Sequence, residues 1–193
     1  EFKLPFGVVR VPNITPDPET GVGRYSDPQL ARVLRHGVLP DGHLALPFMP
    51  FANLSTADLT AVISYLRTQA PVRHAVAPHS VNALGKVVEA FIMKPKGPTQ
   101  PISDASPSGP TVENGRYITH DVGNCIMCHT KVDLRTGAFA GPIFGGGASI
   151  ESVSDPNTKF TSPNLTPHPR WGWIASWPGC ALSRRVRARS RSC

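Results

Sequence analysis

The chain has 193 residues, enough for one ordinary domain or two small ones, and its 40% apolar content suffices for a packed core in each. Its formal charge of +7 is concentrated in Arg184, Arg185, Arg187, Arg189 and Arg191 near the end, so the body of the chain is close to neutral. Nothing aromatic or structured accompanies those arginines, which argues against a nucleic-acid surface, and no apolar run is long enough for a signal peptide or a membrane span.

The first residue is Glu rather than Met, so the start looks cut, and Pro 21 with Gly 17 puts much of the backbone in turns and loops. The first regular element expected is a short helix. Ser26 and Asp27 precede Pro28 at a first-turn position, Leu30, Val33 and Leu34 follow at helical spacing, and Gly37 offers a stop. A Pro- and Gly-rich loop then runs through Pro47, Phe48, Met49 and Pro50 to Ser55, which with Asp58 makes a capping-box-like start for a second helix. Its buried stripe is Leu59, Val62, Ile63 and Leu66, and it should end before Pro71 because proline disfavours helix in the residue before it.

Leu84, Val87, Val88, Phe91 and Ile92 recur at amphipathic spacing and predict a helix over residues 82–93 that packs one face on a neighbour. Residues 94–111 hold five prolines and read as an extended linker or wrapping strap. A brief helix over 112–120 leads into a cysteine motif, and 141–147 reads as a tight irregular loop. One internal repeat stands out: Pro12-Asn13-Ile14-Thr15-Pro16-Asp17-Pro18 matches Pro163-Asn164-Leu165-Thr166-Pro167-His168-Pro169. Two copies imply two modules.

Residues 124–129 read NCIMCH. The spacing CxxCH is the attachment signature for c-type haem, because two cysteines one helical turn apart reach the two vinyl groups and the next histidine projects onto the iron. Cys125 and Cys128 are therefore the expected thioether anchors and His129 the expected proximal ligand. Two other readings of the pair each make a demand that goes unmet. Zinc would want a second ligand pair at matching spacing, whereas the remaining cysteines, Cys180 and Cys193, lie far apart in the arginine-rich tail. A thiol redox pair would want a βαβ pattern around it.

Met49, a thioether between prolines just before a helix, is well placed for a distal iron ligand, although methionine also serves as a filler of core gaps. His36, His43, His74, His79, His120 and His168 lie in polar stretches and none is assigned to iron.

These residues resemble class I cytochrome c modules, in particular those of the multi-haem, membrane-associated cytochrome c subunits of bacterial dehydrogenases, to about Trp177. In that family a module runs from a helix with a glycine and an aromatic, through CxxCH, to a methionine loop and a closing helix. Gly115 and Tyr117 resemble the first element, Cys125 to His129 the second, Pro12 to Pro18 the segment before the methionine loop, and PFMP at 47–50 the loop itself. The resemblance implies an all-α fold of two cytochrome c modules, both incomplete, with Pro/Gly-rich loops. Residues 1–70 would be the later part of a first module whose CxxCH lies upstream, 71–111 a connecting helix and Pro-rich linker, 112–177 the earlier part of a second, and 178–193 an anomalous Arg/Ser tail. No methionine follows the second PNxTP copy, so the second module would lack its distal ligand and closing helix, leaving its core incomplete. Trp171, Trp173 and Trp177 suit either a haem pocket lining or ordinary core packing.

The function so implied is electron transfer through covalently bound haem c and its iron, by a carrier rather than an enzyme. It would pass electrons from a dehydrogenase to a respiratory chain, with a dehydrogenase, a terminal oxidase or another cytochrome as redox partner. The resemblance further implies the periplasm, with membrane association through an upstream segment. The alternative is a haem enzyme of the di-haem peroxidase type, using an open iron position.

Overall fold

The computed structural model describes residues 2–4, 7–45, 51–87, 91, 94–95, 97–133, 138–152, 155 and 157–167. Met49 and its loop, Trp171, Trp173, Trp177, Cys180, Cys193, His168 and the arginine-rich tail lie outside them. The chain divides into two compact units, Glu1–Val122 and Gly123–Cys193.

In the first unit helix α1 spans Asp27–His36 and α2 spans Thr56–Thr68. Both begin where their capping residues place them. The Ser26 N–H donates to Gln29 Oε1 at 2.9 Å, with Pro28 in the first turn, and Ser55 Oγ accepts the Asp58 N–H at 3.0 Å. Helix α1 stops at Gly37, whose φ of 65° lets its N–H return to the Val33 carbonyl at 2.8 Å. Helix α2 stops three residues before Pro71. Its buried stripe is narrower than the spacing predicts: Leu59 and Ile63 are buried, but Val62 is 39% exposed.

Leu30 of α1, Leu54, and Leu59 and Ile63 of α2 form the core together with Tyr117, and Val22, Tyr25, Leu34 and Phe51 pack around them. Each large side chain so buried contributes about 1.5–3 kcal/mol. Arg67 ties the end of α2 to the start of α1: its guanidinium donates to Asp27 Oδ1 at 3.0 Å, to the Val22 carbonyl at 3.3 Å and to the Tyr25 carbonyl. A three-stranded antiparallel sheet, β1 (Phe2–Leu4), β2 (Gly7–Val9) and β3 (Ser80–Val81), lies in the order β1-β2-β3.

The proline-rich segment wraps the start of α2. The N–H groups of Thr56 and Ala57, which an α-helix leaves without internal partners, donate to the carbonyls of Ser103 and Asp104, each at 3.0 Å. Helix α3 covers Ala83–Val87, inside the predicted 82–93; residues 88–90, 92 and 93 lie outside the described set. Val87 is 52% and Phe91 78% exposed, so these two members of the predicted apolar face are not packed. Helix α4, Val112–Tyr117, runs on into a π-helical turn, Ile118–Val122. Its Tyr117 is buried in the first unit's core, so this aromatic does not lack cover, whereas Val112 and Ile118 are exposed.

In the second unit helix α5 (Cys125–His129) is followed by two antiparallel ribbons, β4 (Val132–Asp133) with β5 (Ala138–Phe139), and β6 (Ser149–Glu151) with β7 (Lys159–Thr161). These strands qualify the all-α expectation. Helices build the core of the first unit, but two- and three-residue ribbons dominate the described part of the second. Strands this short carry no measurable alternation, which is why the pattern of the sequence does not reveal them. Among the described residues no helix is long and apolar enough to cross a membrane.

Candidate functional site

The single turn of α5 carries the cysteine motif. Asn124 precedes it at φ 49°, ψ 31°, a left-handed conformation that asparagine tolerates better than most residues, and this bend starts the new helix. Residues three apart on a helix share a face, so Cys125 and Cys128 are neighbours on α5. Both are free thiols, the first half-buried and the second exposed.

His129 ends the turn, and its Nδ1 lies 2.9 Å from the carbonyl oxygen of Pro163. A carbonyl can only accept, so Nδ1 carries a proton and donates, which in the neutral form of the ring puts the lone pair on Nε2. That is the tautomer and orientation that a metal-ligating imidazole takes when a backbone carbonyl holds its far side.

The carbonyl that does this belongs to the second copy of the repeat, and both copies fold alike. Asn164 Oδ1 accepts the N–H and the hydroxyl of Thr166, both at 2.7 Å, just as Asn13 Oδ1 accepts the N–H and hydroxyl of Thr15, at 3.0 and 2.8 Å. Each is a turn in which the asparagine side chain bonds the backbone two residues on. The repeat flags this segment, but its contact with His129, 34 residues away, leaves no local signal. Gly146 closes the arrangement: its N–H donates to the His129 carbonyl at 2.7 Å, and its φ is 73°. A Cβ there would lie 2.6 Å from the Ser162 oxygen and 2.7 Å from the Pro163 carbonyl carbon, so only glycine fits.

Beside Cys125, the side-chain amide nitrogen of Asn124 is buried, in a residue only 5% exposed, and finds no hydrogen-bond partner among the described residues. No three His, Cys, Asp or Glu side chains converge there as a metal-holding group, again among the described residues. The structure does not bring Met49 to any site, since it lies outside the described set. Of the histidines left unassigned, His79 accepts the Arg10 N–H at 3.0 Å, His43 sits 3.3 Å from Asp41, and His120 Nδ1 lies 3.0 Å from the Arg116 carbonyl.

The turn therefore bears two free thiols on one face and ends in a histidine whose Nδ1 is held by a backbone carbonyl. No protein-family model matches the chain. The chain is similar to a subunit of the nicotinate dehydrogenase of Pseudomonas putida, 31% identical over 84% of this chain and 14% of that protein. It is also similar to the cytochrome c subunit of the quinone-dependent alcohol dehydrogenase of Gluconobacter oxydans, 32% identical over 84% of this chain and 37% of that subunit. A diheme cytochrome c-type protein of Cereibacter sphaeroides is 27% identical over 84% of this chain and 54% of its own length. These relatives make the chain similar to the multi-haem cytochrome c subunits of bacterial dehydrogenases. It spans 14% and 37% of the first two relatives, well under two thirds of either.

Proposed function

We propose that this chain carries electrons through haem c bound covalently at Cys125 and Cys128, with His129 as the proximal iron ligand. The observation that carries the reading is the bond from His129 Nδ1 to Pro163, which leaves Nε2 as the metal-facing nitrogen. The donor set fits the group. Each S–H would add across one vinyl C=C with no atom lost, and one imidazole suffices on this side of the iron because a porphyrin supplies the in-plane nitrogens. When bound, the iron would cycle between ferric and ferrous by one electron.

The chain's own part is to fix the ring's attachment, hold the imidazole's proton at Nδ1 and shelter one face. We place Met49 as a distal ligand for a haem attached upstream, in a first module closed by α2. The duplicated P-N-x-T-P turn supports the two-module organisation, with residues 71–111 between the modules and the second starting at 112. The subunit would take electrons from a dehydrogenase and deliver them to a respiratory chain in the periplasm, and it would transform no substrate itself. The relatives' names, cytochrome subunits of dehydrogenases, support the dehydrogenase as the electron donor.

Expression of the full chain in a host with periplasmic cytochrome c maturation tests the proposal. Mass spectrometry of the peptide spanning Cys125 and Cys128 should find one haem added and no free thiol, and Cys125→Ala with Cys128→Ala should abolish the addition. A mature product with both thiols free, joined to each other or clasping zinc overturns it.

A further inference from the structure

We propose that Thr130 is a positioning residue for the imidazole of His129, acting through the 142–147 loop on the Pro163 carbonyl. This rests on the reading of His129 as an iron ligand.

Thr130 follows the motif directly and is fully buried, at 0% exposure. A hydroxyl so enclosed is retained only if it is hydrogen-bonded, and its Oγ1 accepts the Phe144 N–H at 3.0 Å. Phe144 is held at φ 61°, a left-handed conformation that is uncommon for a bulky side chain and that persists only where the surroundings enforce it. From that bend the Phe144 carbonyl accepts the Leu165 N–H at 2.9 Å, two residues beyond Pro163. Two residues after Phe144, Gly146 pairs with Thr130 in a parallel bridge and donates to the His129 carbonyl. The Gly147 N–H donates to the Ser162 carbonyl and the Ser162 N–H to the Ala148 carbonyl, each at 2.9 Å, which continues the β6–β7 ribbon to the residue before Pro163.

Pro163 is thus gripped on both sides, by Ser162 through 147–148 and by Leu165 through Phe144. Both grips converge on the loop whose bend Thr130 enforces. The hydroxyl touches neither the imidazole nor any reacting atom; its effect on His129 passes through the position of one carbonyl oxygen. A firm Nδ1–H to carbonyl bond raises the basicity of Nε2 and favours the ferric state, so loosening it raises the reduction potential.

The test compares Thr130→Val, which keeps the shape and removes the hydroxyl, with Thr130→Ser, which keeps the hydroxyl. In the haem-free full chain, imidazole nitrogen NMR at fixed pH should show His129 as the Nδ1–H tautomer in wild type and T130S, and as a mixture in T130V. In haem-loaded chain, T130V should shift the ferric-to-ferrous ratio against a fixed reference couple about threefold toward ferrous. Loss of a direct outer-shell partner typically costs about 10–100-fold in metal affinity or activity, and Thr130 acts one step further out. A folded T130V with wild-type tautomer and potential, or a folded T130S that departs from wild type in both, overturns the assignment. Should wild-type chain take up no haem, the proposed function fails while the tautomer comparison still decides the role of Thr130.

Discussion

The hydroxyl of Tyr117 donates to Asp58 Oδ2 at 2.6 Å and accepts the N–H of Ser55 at 2.9 Å. Ser106 Oγ donates to the same carboxylate oxygen at 2.6 Å and lies 2.8 Å from Ser55 Oγ. One carboxylate at the start of α2 thus collects the wrapping strap and α4. The helix that by resemblance opens the second module is by packing part of the core closed by α2.

Tyr117→Phe should destabilise the first unit without emptying its core. The ring would stay among Leu59 and Ile63, while Asp58 loses a donor and the buried Ser55 N–H loses its acceptor. Hydrogen bonds to charged groups contribute about 1.5–3 kcal/mol, and an orphaned buried donor costs about 1–3 kcal/mol. Urea unfolding should show a lower midpoint with an unchanged slope. A variant as stable as wild type would show that the network contributes nothing.

The same network predicts a dependence on pH. Hydrogen bonds from Ser106 first, then Tyr117 and Ser55, hold the Asp58 carboxyl below its ordinary value of 3.8, against the opposing effect of burial. Because the folded value is depressed, the stabilisation is fully present above the unfolded value of about 3.9. It is lost as pH falls through the folded one. Asp58→Asn should therefore lower stability at neutral pH and flatten its fall between roughly pH 5 and 2. Denaturant midpoints measured across that range check it; parallel curves for wild type and variant would refute it.

The limits of what the sequence reveals follow from distance along the chain. Helices α1 and α2 are legible because their start signals, Ser26 and Asp27 before Pro28 and Ser55 with Asp58, act within one turn, and Gly37 marks a stop at its own position. The thiols and imidazole of α5 are legible for the same reason. The Tyr117 to Asp58 bond spans 59 residues and the His129 to Pro163 bond 34, and neither leaves a periodic trace. The ribbons β4 to β7 are two or three residues long, too short to alternate, and the left-handed Phe144 stands where composition would favour glycine or asparagine.

Gly146→Ala should disrupt the second unit. Alanine at φ 73° costs about 1–2 kcal/mol in backbone strain alone. The new Cβ would also meet the Ser162 oxygen at 2.6 Å, and backbone there cannot yield without moving Pro163. Haem incorporation per chain, read by pyridine haemochrome absorbance, should fall well below wild type, whereas Gly147→Ala, where a Cβ would meet nothing within 4 Å, should cost only the positive-φ strain. Equal losses in the two variants would remove the steric argument.

The duplicated turn allows a matched pair of substitutions. Asn164→Ala removes the acceptor of two short bonds from Thr166, a loss of about 1–3 kcal/mol locally, and frees the Pro163 carbonyl to drift from His129. Asn13→Ala removes the same pair of bonds from Thr15, in the other compact unit, together with the bonds that Asn13 Nδ2 donates to Thr20 Oγ1 and to the Val72 and His74 carbonyls, so it is the harsher control for global loosening. If the turn at Pro163 serves the haem at Cys125 and Cys128, N164A should raise the reduction potential of that haem and N13A should leave it unchanged, although both lower stability. Spectroelectrochemical titration of each loaded variant separates the effects. A shift common to both would mean that the potential follows global loosening rather than the carbonyl behind the imidazole.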